Sequence, residues 1–240
     1  MPSGHTVVAF DNELTTLHRK IAEMGGLAEE QLMRAMEALV SRDENLASSI
    51  IGRDAEIDRG EAEVEALAVR VLALRQPMAK DLRQVITALK VSTNLERIGD
   101  FASNCAKRVM ALSQVPPAGP MKSLNRMGVT TAGMVHDVVK AYVDEDYDLA
   151  MAVRDRDAEV DAVYTSLFRE LLTYMMESPQ QITACTHLMF IAKNLERVGD
   201  HATNVAETVC FLVKGRLPGE ERLKEDLSSF TVVNPPDARE

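Results

Sequence analysis

The chain has 240 residues, 46% apolar and 27% charged, with a formal net charge of -10. That apolar share fills one large core or two small ones, and the acidic balance with no cluster of Lys and Arg argues against nucleic acid as a partner. Three cysteines, none in C-x-x-C spacing, read as small buried apolar residues, and no run approaches the ~20 apolar residues of a membrane span. The first residues lack a basic stretch followed by an apolar run, so no signal peptide is expected and the chain reads as cytoplasmic.

Taken in chain order, the segments are helical. Trp is absent and Ala, Leu, Met, Glu and Arg dominate. The spacing predicts helices over 6–41, 44–75, 78–113, 122–143, 147–177 and 180–214. Asp43 and Asp146 precede apolar-periodic segments as N-caps do, and Ser178 has the same place before Pro179. Pro77 and Pro179 suit the first turn of the third and sixth helices. Between the third and fourth helices, Val115-Pro116-Pro117-Ala118-Gly119-Pro120 cannot be helical. Asn234-Pro235-Pro236 reads as a frayed end.

The six helices are one trio written twice. Asn94-Leu95-Glu96-Arg97-Ile98-Gly99-Asp100 returns at an offset of 100 as Asn194-Leu195-Glu196-Arg197-Val198-Gly199-Asp200. Arg53-Asp54-Ala55-Glu56-Ile57-Asp58 returns at an offset of 103 as Arg156-Asp157-Ala158-Glu159-Val160-Asp161, and Met24-Gly25 returns as Met127-Gly128. Such ordered matches mean duplication. The fold class is therefore all-α, two tandem three-helix bundles in one elongated molecule. A first bundle spans 1–113, a Pro-rich linker 114–121, a second bundle 122–215 and a tail 216–240. The seam of each third helix is apolar: Val91, Leu95, Ile98, Ala102, Cys105, Val109 and Leu112, then Ile191, Leu195, Val198, Ala202, Val205, Val209 and Leu212.

Off that seam lie paired carboxylates. Asp54/Asp58, Glu96/Asp100, Asp157/Asp161 and Glu196/Asp200 are each four apart and share a helix face. Asp58 lies 19 residues before Pro77 and Glu96 lies 19 after it; Asp54 and Asp100 lie 23 before and 23 after. In the second copy the distances from Pro179 are 18 and 17 for Asp161 and Glu196, and 22 and 21 for Asp157 and Asp200. In an antiparallel hairpin each group of four stands level on adjacent helices. Four carboxylates repel unless a cation intervenes, and oxygen donors suit iron, manganese or magnesium, with zinc possible. Against this, 37 acidic residues produce such spacings by chance, as at Glu61/Glu65, Asp144/Asp148, Asp155/Glu159 and Glu221/Glu225. Arg97 and Arg197 are also placed to neutralise Asp100 and Asp200.

Around the motif, Asn94 and Asn194 read as buried hydrogen-bonding groups near the seam. Asn104 and Asn204 stand beside the acidic row and could add a carbonyl oxygen. Gly99 and Gly199 imply close helix approach, since each costs about 1 kcal/mol of helix propensity. His201, about 100° round the helix from Asp200, reads as a surface histidine. No His has Glu three residues before it, which removes the Glu-x-x-His di-iron oxidase pattern. No catalytic constellation and no phosphate-cradling Gly-rich loop is present.

The duplicated Asn-Leu-Glu-Arg-Ile/Val-Gly-Asp motif, each copy preceded by its Arg-Asp-x-Glu-Ile/Val-Asp run, resembles the PhoU family over nearly the whole chain. The resemblance implies two three-helix bundles whose E/D-x-x-x-D motifs bind multinuclear iron or zinc clusters. By position those are Asp54, Asp58, Glu96 and Asp100, and Asp157, Asp161, Glu196 and Asp200. It also implies negative regulation of phosphate uptake and starvation signalling, exerted on the Pst phosphate transporter, at its ATPase subunit, and on its sensor histidine kinase. A homodimer, peripheral at the inner membrane through its partners, is implied as well. Phe101 departs from the family, which commonly has there the His seen at 201. A helical scaffold without metal is the alternative reading.

Overall fold

The computed structural model describes residues 3–117, 119–219, 226, 228 and 231; the Asn234-Pro235-Pro236 segment lies outside the described residues. Six helices follow in order: α1 Ser3–Ser41, α2 Glu44–Arg75, α3 Ala79–Leu112, α4 Met121–Val143, α5 Tyr147–Glu177 and α6 Ile182–Lys214. No strand occurs among the described residues.

The helix starts show which local signals act. Asp43 caps α2, its Oδ1 accepting from the amides of Asn45 at 2.9 Å and Leu46 at 3.0 Å. Asp146 caps α5, accepting from Leu149 N at 3.0 Å. Two expectations fail. Pro77 stands outside α3, whose N-cap is Met78 with no side-chain cap, because Gln76 and Ala79 both turn through left-handed backbone. Ser178 holds the N-cap place but makes no side-chain cap bond; a short 3-10 turn, Pro179–Gln181, leads into α6 instead.

All fourteen seam residues of α3 and α6 are buried. Each trio packs on itself, α1 with α2 and α3, and α4 with α5 and α6. The trios then join side by side, α3 against α6 and α1 against α4. The inner helices α1, α3, α6 and α4 form a ring, with α2 and α5 on its outside, and the apolar core runs through both copies.

Glycine permits the closest approach in this join. A Cβ at Gly25 would stand 2.4 Å from Val139 Cγ2 and 2.7 Å from Val139 Cγ1. Its duplicate, Gly128, faces Met36, the residue duplicated as Val139, with 2.5 Å to Met36 Cγ. Met bends and β-branched Val does not. Gly25→Ala is expected to cost about 1–3 kcal/mol in overpacking, offset by about 1 kcal/mol of helix propensity. Gly128→Ala is expected to be about neutral. Urea unfolding of the two variants checks this, and equal losses would contradict it.

Candidate functional site

The repeated motifs place their carboxylates on the α2–α3 and α5–α6 faces, away from the apolar seam. In the first copy, Glu96 and Asp100 are partly buried, with side chains 17% and 35% exposed, and Arg97 pairs with Glu96 at 3.5 Å and Asp100 at 3.2 Å. Burial, and next Asp100, raise the Glu96 carboxyl to about 7; Arg97 opposes, and Glu61 and Asp58 add to the rise. Asp54 is also raised, first by burial, against the nearby Ser103 hydroxyl and with Asp100 and Asp58 contributing. The structure thus brings Asp54, Asp58, Glu96 and Asp100 within electrostatic reach of one another. Glu61, read from spacing as one of the chance pairs, joins them. Its signal was in the sequence: it lies three residues after Asp58, on the same helix face.

The second copy is closed. Asp157 is 1% exposed, Asp161 2% and Glu196 5%, whereas Asp58 is exposed and Asp54 half-buried. Glu196 is raised by burial, opposed by Lys193, with Asp200 and Asp161 adding to the rise. Glu196 Oε1 accepts from Lys193 Nζ at 2.8 Å, while Oε2 is buried without a hydrogen-bond partner. Lys193, Tyr164 and Asp226 are the groups of this site that motif reading missed.

The glycines of both motifs act as expected. A Cβ at Gly99 would lie 2.6 Å from Ile57 Cδ1, and one at Gly199 3.1 Å from Asp157 Oδ1. Other expectations shift. Asn104 Oδ1 faces Lys107 at 3.5 Å, and Asn204 is exposed. His201 is half-buried at the join of the copies, not on the surface: its Nδ1 lies 2.8 Å from Asn94 Oδ1 and its ring 5.5 Å from that of Phe101. Asn194 reaches across the same join to Cys105. Both asparagines are half-buried, and Asn94 bonds between the copies. Arg197 rests over the Phe101 ring at 5.7 Å.

The donor chemistry of both clusters fits an oxygen-preferring cation, and the buried, unbonded Glu196 Oε2 is the kind of atom such an ion satisfies. Among the described residues, however, no group of three or more His, Cys, Asp or Glu side chains is gathered closely enough to hold an ion. Nor is any described helix long and apolar enough to cross a membrane.

Comparison with known proteins follows the duplication. The PhoU domain matches residues 21–109 and again 124–209, one per trio. The chain is 44% identical over 230 residues to the phosphate-specific transport system accessory protein PhoU homolog of Rhizobium meliloti (strain 1021), covering 95% of this chain and 97% of that one. It is 49% identical over 227 residues to the homolog from Zymomonas mobilis, covering 94% and 96%. Among solved structures, PhoU from Pseudomonas aeruginosa superposes with a TM-score of 0.83 at 39% identity, covering 86% of this chain and all of that one. The phosphate transport system regulatory protein PhoU from Streptococcus pneumoniae gives 0.82 at 31% identity, covering 88% of this chain and all of that one.

Proposed function

The chain belongs to the PhoU family, and we propose that it is a regulatory accessory protein of phosphate-specific transport that restrains phosphate uptake and the starvation response. The observation that carries this reading is the double PhoU domain together with near full-length similarity to proteins named as accessory to that transport system. Such proteins are regulators and not enzymes, which agrees with the absence of a nucleophile–base pair in the motifs. The finer reading is an adaptor working on the cytoplasmic side, with long helix faces that engage the transporter's ATPase subunit and a sensor histidine kinase. Active transport then biases the kinase towards its silent state. A second copy of the chain belongs to this reading as a dimer partner.

Metal is the other part of the proposal. Asp54, Asp58, Glu96 and Asp100, and in the second copy Asp157, Asp161, Glu196 and Asp200, are the residues that would hold iron, manganese, magnesium or zinc. A bound cation would supply charge that relieves carboxylate repulsion and clamps α2 to α3 and α5 to α6. Support comes from the residue spacing about Pro77 and Pro179, the raised carboxyl of Glu96 and the unbonded Glu196 Oε2. A metal-free helical scaffold is the second reading, favoured by the spread of the carboxylates.

Deletion of the gene tests the function. In rich phosphate, the deletion strain is expected to express phosphate-starvation genes and to accumulate phosphate or polyphosphate. Parental expression and uptake, in a strain with no second copy of the gene, would overturn the assignment.

A further inference from the structure

The two carboxylate clusters are duplicates in sequence but not in their surroundings. Two positions and one piece of chain make the difference. At the offset of 100, Thr93 of the first copy becomes Lys193; at the offset of 103, Glu61 becomes Tyr164. Thr93 is exposed and spends its hydroxyl on Leu89 O of its own helix at 3.2 Å. Lys193 instead points its ammonium into the cluster. It donates to Glu196 Oε1 at 2.8 Å and to Asp226 Oδ2 at 3.2 Å, and lies 4.8 Å from the centroid of the Tyr164 ring. The Tyr164 hydroxyl hydrogen-bonds to the Ser228 side chain, and the Ser228 amide donates to Asp226 Oδ1 at 2.9 Å. The chain Glu196–Lys193–Asp226–Ser228–Tyr164 therefore ties residues beyond α6 across the face that holds Asp161 and Glu196. Tyr164 is 5% exposed and the Asp226 side chain 17%.

The first cluster has no such cover. Its paired cation is Arg97, 55% exposed and held at the rim by Glu96 and Asp100 of its own helix, while Lys107 acts on Asp54 from a distance. The Arg97 side chain can swing into solvent at small cost, because exposed pairs of this kind are worth only about 0–1 kcal/mol. Lys193 is held from three sides in a partly buried site, where screening is weaker.

We infer that the second cluster carries its own cation: the Lys193 ammonium, locked by Asp226 and Ser228, neutralises Glu196 in place of a metal ion. This rests on the metal reading of the carboxylate clusters. The two clusters are then unequal. The first is open to a multivalent cation from solvent. The second accepts one only when Lys193 withdraws and the Asp226–Ser228 contacts come apart, since an incoming ion meets a fixed positive charge beside the carboxylate it must bind. Glu196 Oε2, which Lys193 leaves unbonded, is the donor that remains ready for that exchange. Cation loading of the second cluster and release of the segment around Asp226 are therefore one equilibrium, linked in both directions.

Titration of the full-length chain with Mn²⁺, followed by calorimetry and elemental analysis, tests this together with hydrogen exchange at the Ser228 amide, which donates to Asp226. The unaltered chain is expected to bind tightly at one cluster and at least tenfold more weakly at the other. Replacing Asp54→Asn, Asp58→Asn, Glu96→Gln and Asp100→Asn together should remove the tight site. Adding Lys193→Gln to that chain should strengthen the remaining site at least tenfold. Lys193→Gln and Asp226→Asn alone should each speed exchange at the Ser228 amide about tenfold, as should saturating Mn²⁺. Lys193→Arg, which keeps the cation, should restore slow exchange and weak second-site binding. Two equal sites in the unaltered chain, or no change in second-site affinity and exchange on Lys193→Gln, would overturn the locked-cation inference and leave the metal reading standing. No Mn²⁺ binding by any variant would overturn both.

Discussion

Leu95→Ala is expected to lower the stability of the whole chain, not of the first trio alone, by about 3 kcal/mol. Leu95 is fully buried in the α3 seam, and α3 packs on α1, α2 and α6 at once. Removing its isobutyl group forfeits transfer free energy and leaves a space that three rigid helices cannot close. One apolar core runs through both copies, so the loss is shared. Calorimetry should show one transition in both proteins, lower in the variant, and hydrogen exchange should quicken in α6 as well as in α3. Two resolved transitions, with α6 protected as before, would mean that the copies unfold independently.

A large effect of opposite sign is expected at Glu96. Its folded carboxyl stands at about 7 against an ordinary 4.5. Between those values the folded state holds a proton that the unfolded state has lost, so the contribution of this group is favourable at low pH and is lost as pH rises through 7. Each pK unit corresponds to about 1.36 kcal/mol. Solvent reaches the side chain, so the expected penalty above pH 8 is discounted to about 2 kcal/mol. In buffer with chelator, Glu96→Gln should therefore be about 2 kcal/mol more stable than the unaltered chain at pH 8 and nearly equal to it at pH 4.5. Denaturant unfolding at the two pH values measures this. A variant no more stable at pH 8 would show that the carboxylate is ionised there without strain. Added Mn²⁺ should reverse the order at pH 8, because the ion favours the charged form that burial opposes.

Features that depend on periodicity and local chemistry can be read along the chain. The helix spans were legible because caps such as Asp43 and Asp146 act within three residues, and the seam from Val91 to Leu112 because apolar spacing repeats within one helix. Duplication was legible as ordered identity, and counting residues either side of Pro77 gave Asp54, Asp58, Glu96 and Asp100 as candidates for one site. The starts of α3 and α6 were misread where left-handed backbone at Gln76 and Ala79, or a 3-10 turn after Ser178, replaced the simple rule.

How the copies meet and what each site contains depend on packing between distant segments. His201 lies against Asn94 and Phe101 because α3 packs on α6, an approach between residues 107 apart that no helical period encodes. Lys193 and Asp226 are 33 apart, and Tyr164 reaches Ser228 from another helix. Two copies with the same motif thus became one open carboxylate cluster and one closed by a lysine, because burial and pairing are properties of the packed neighbourhood, while the motif specifies only which groups face the same way.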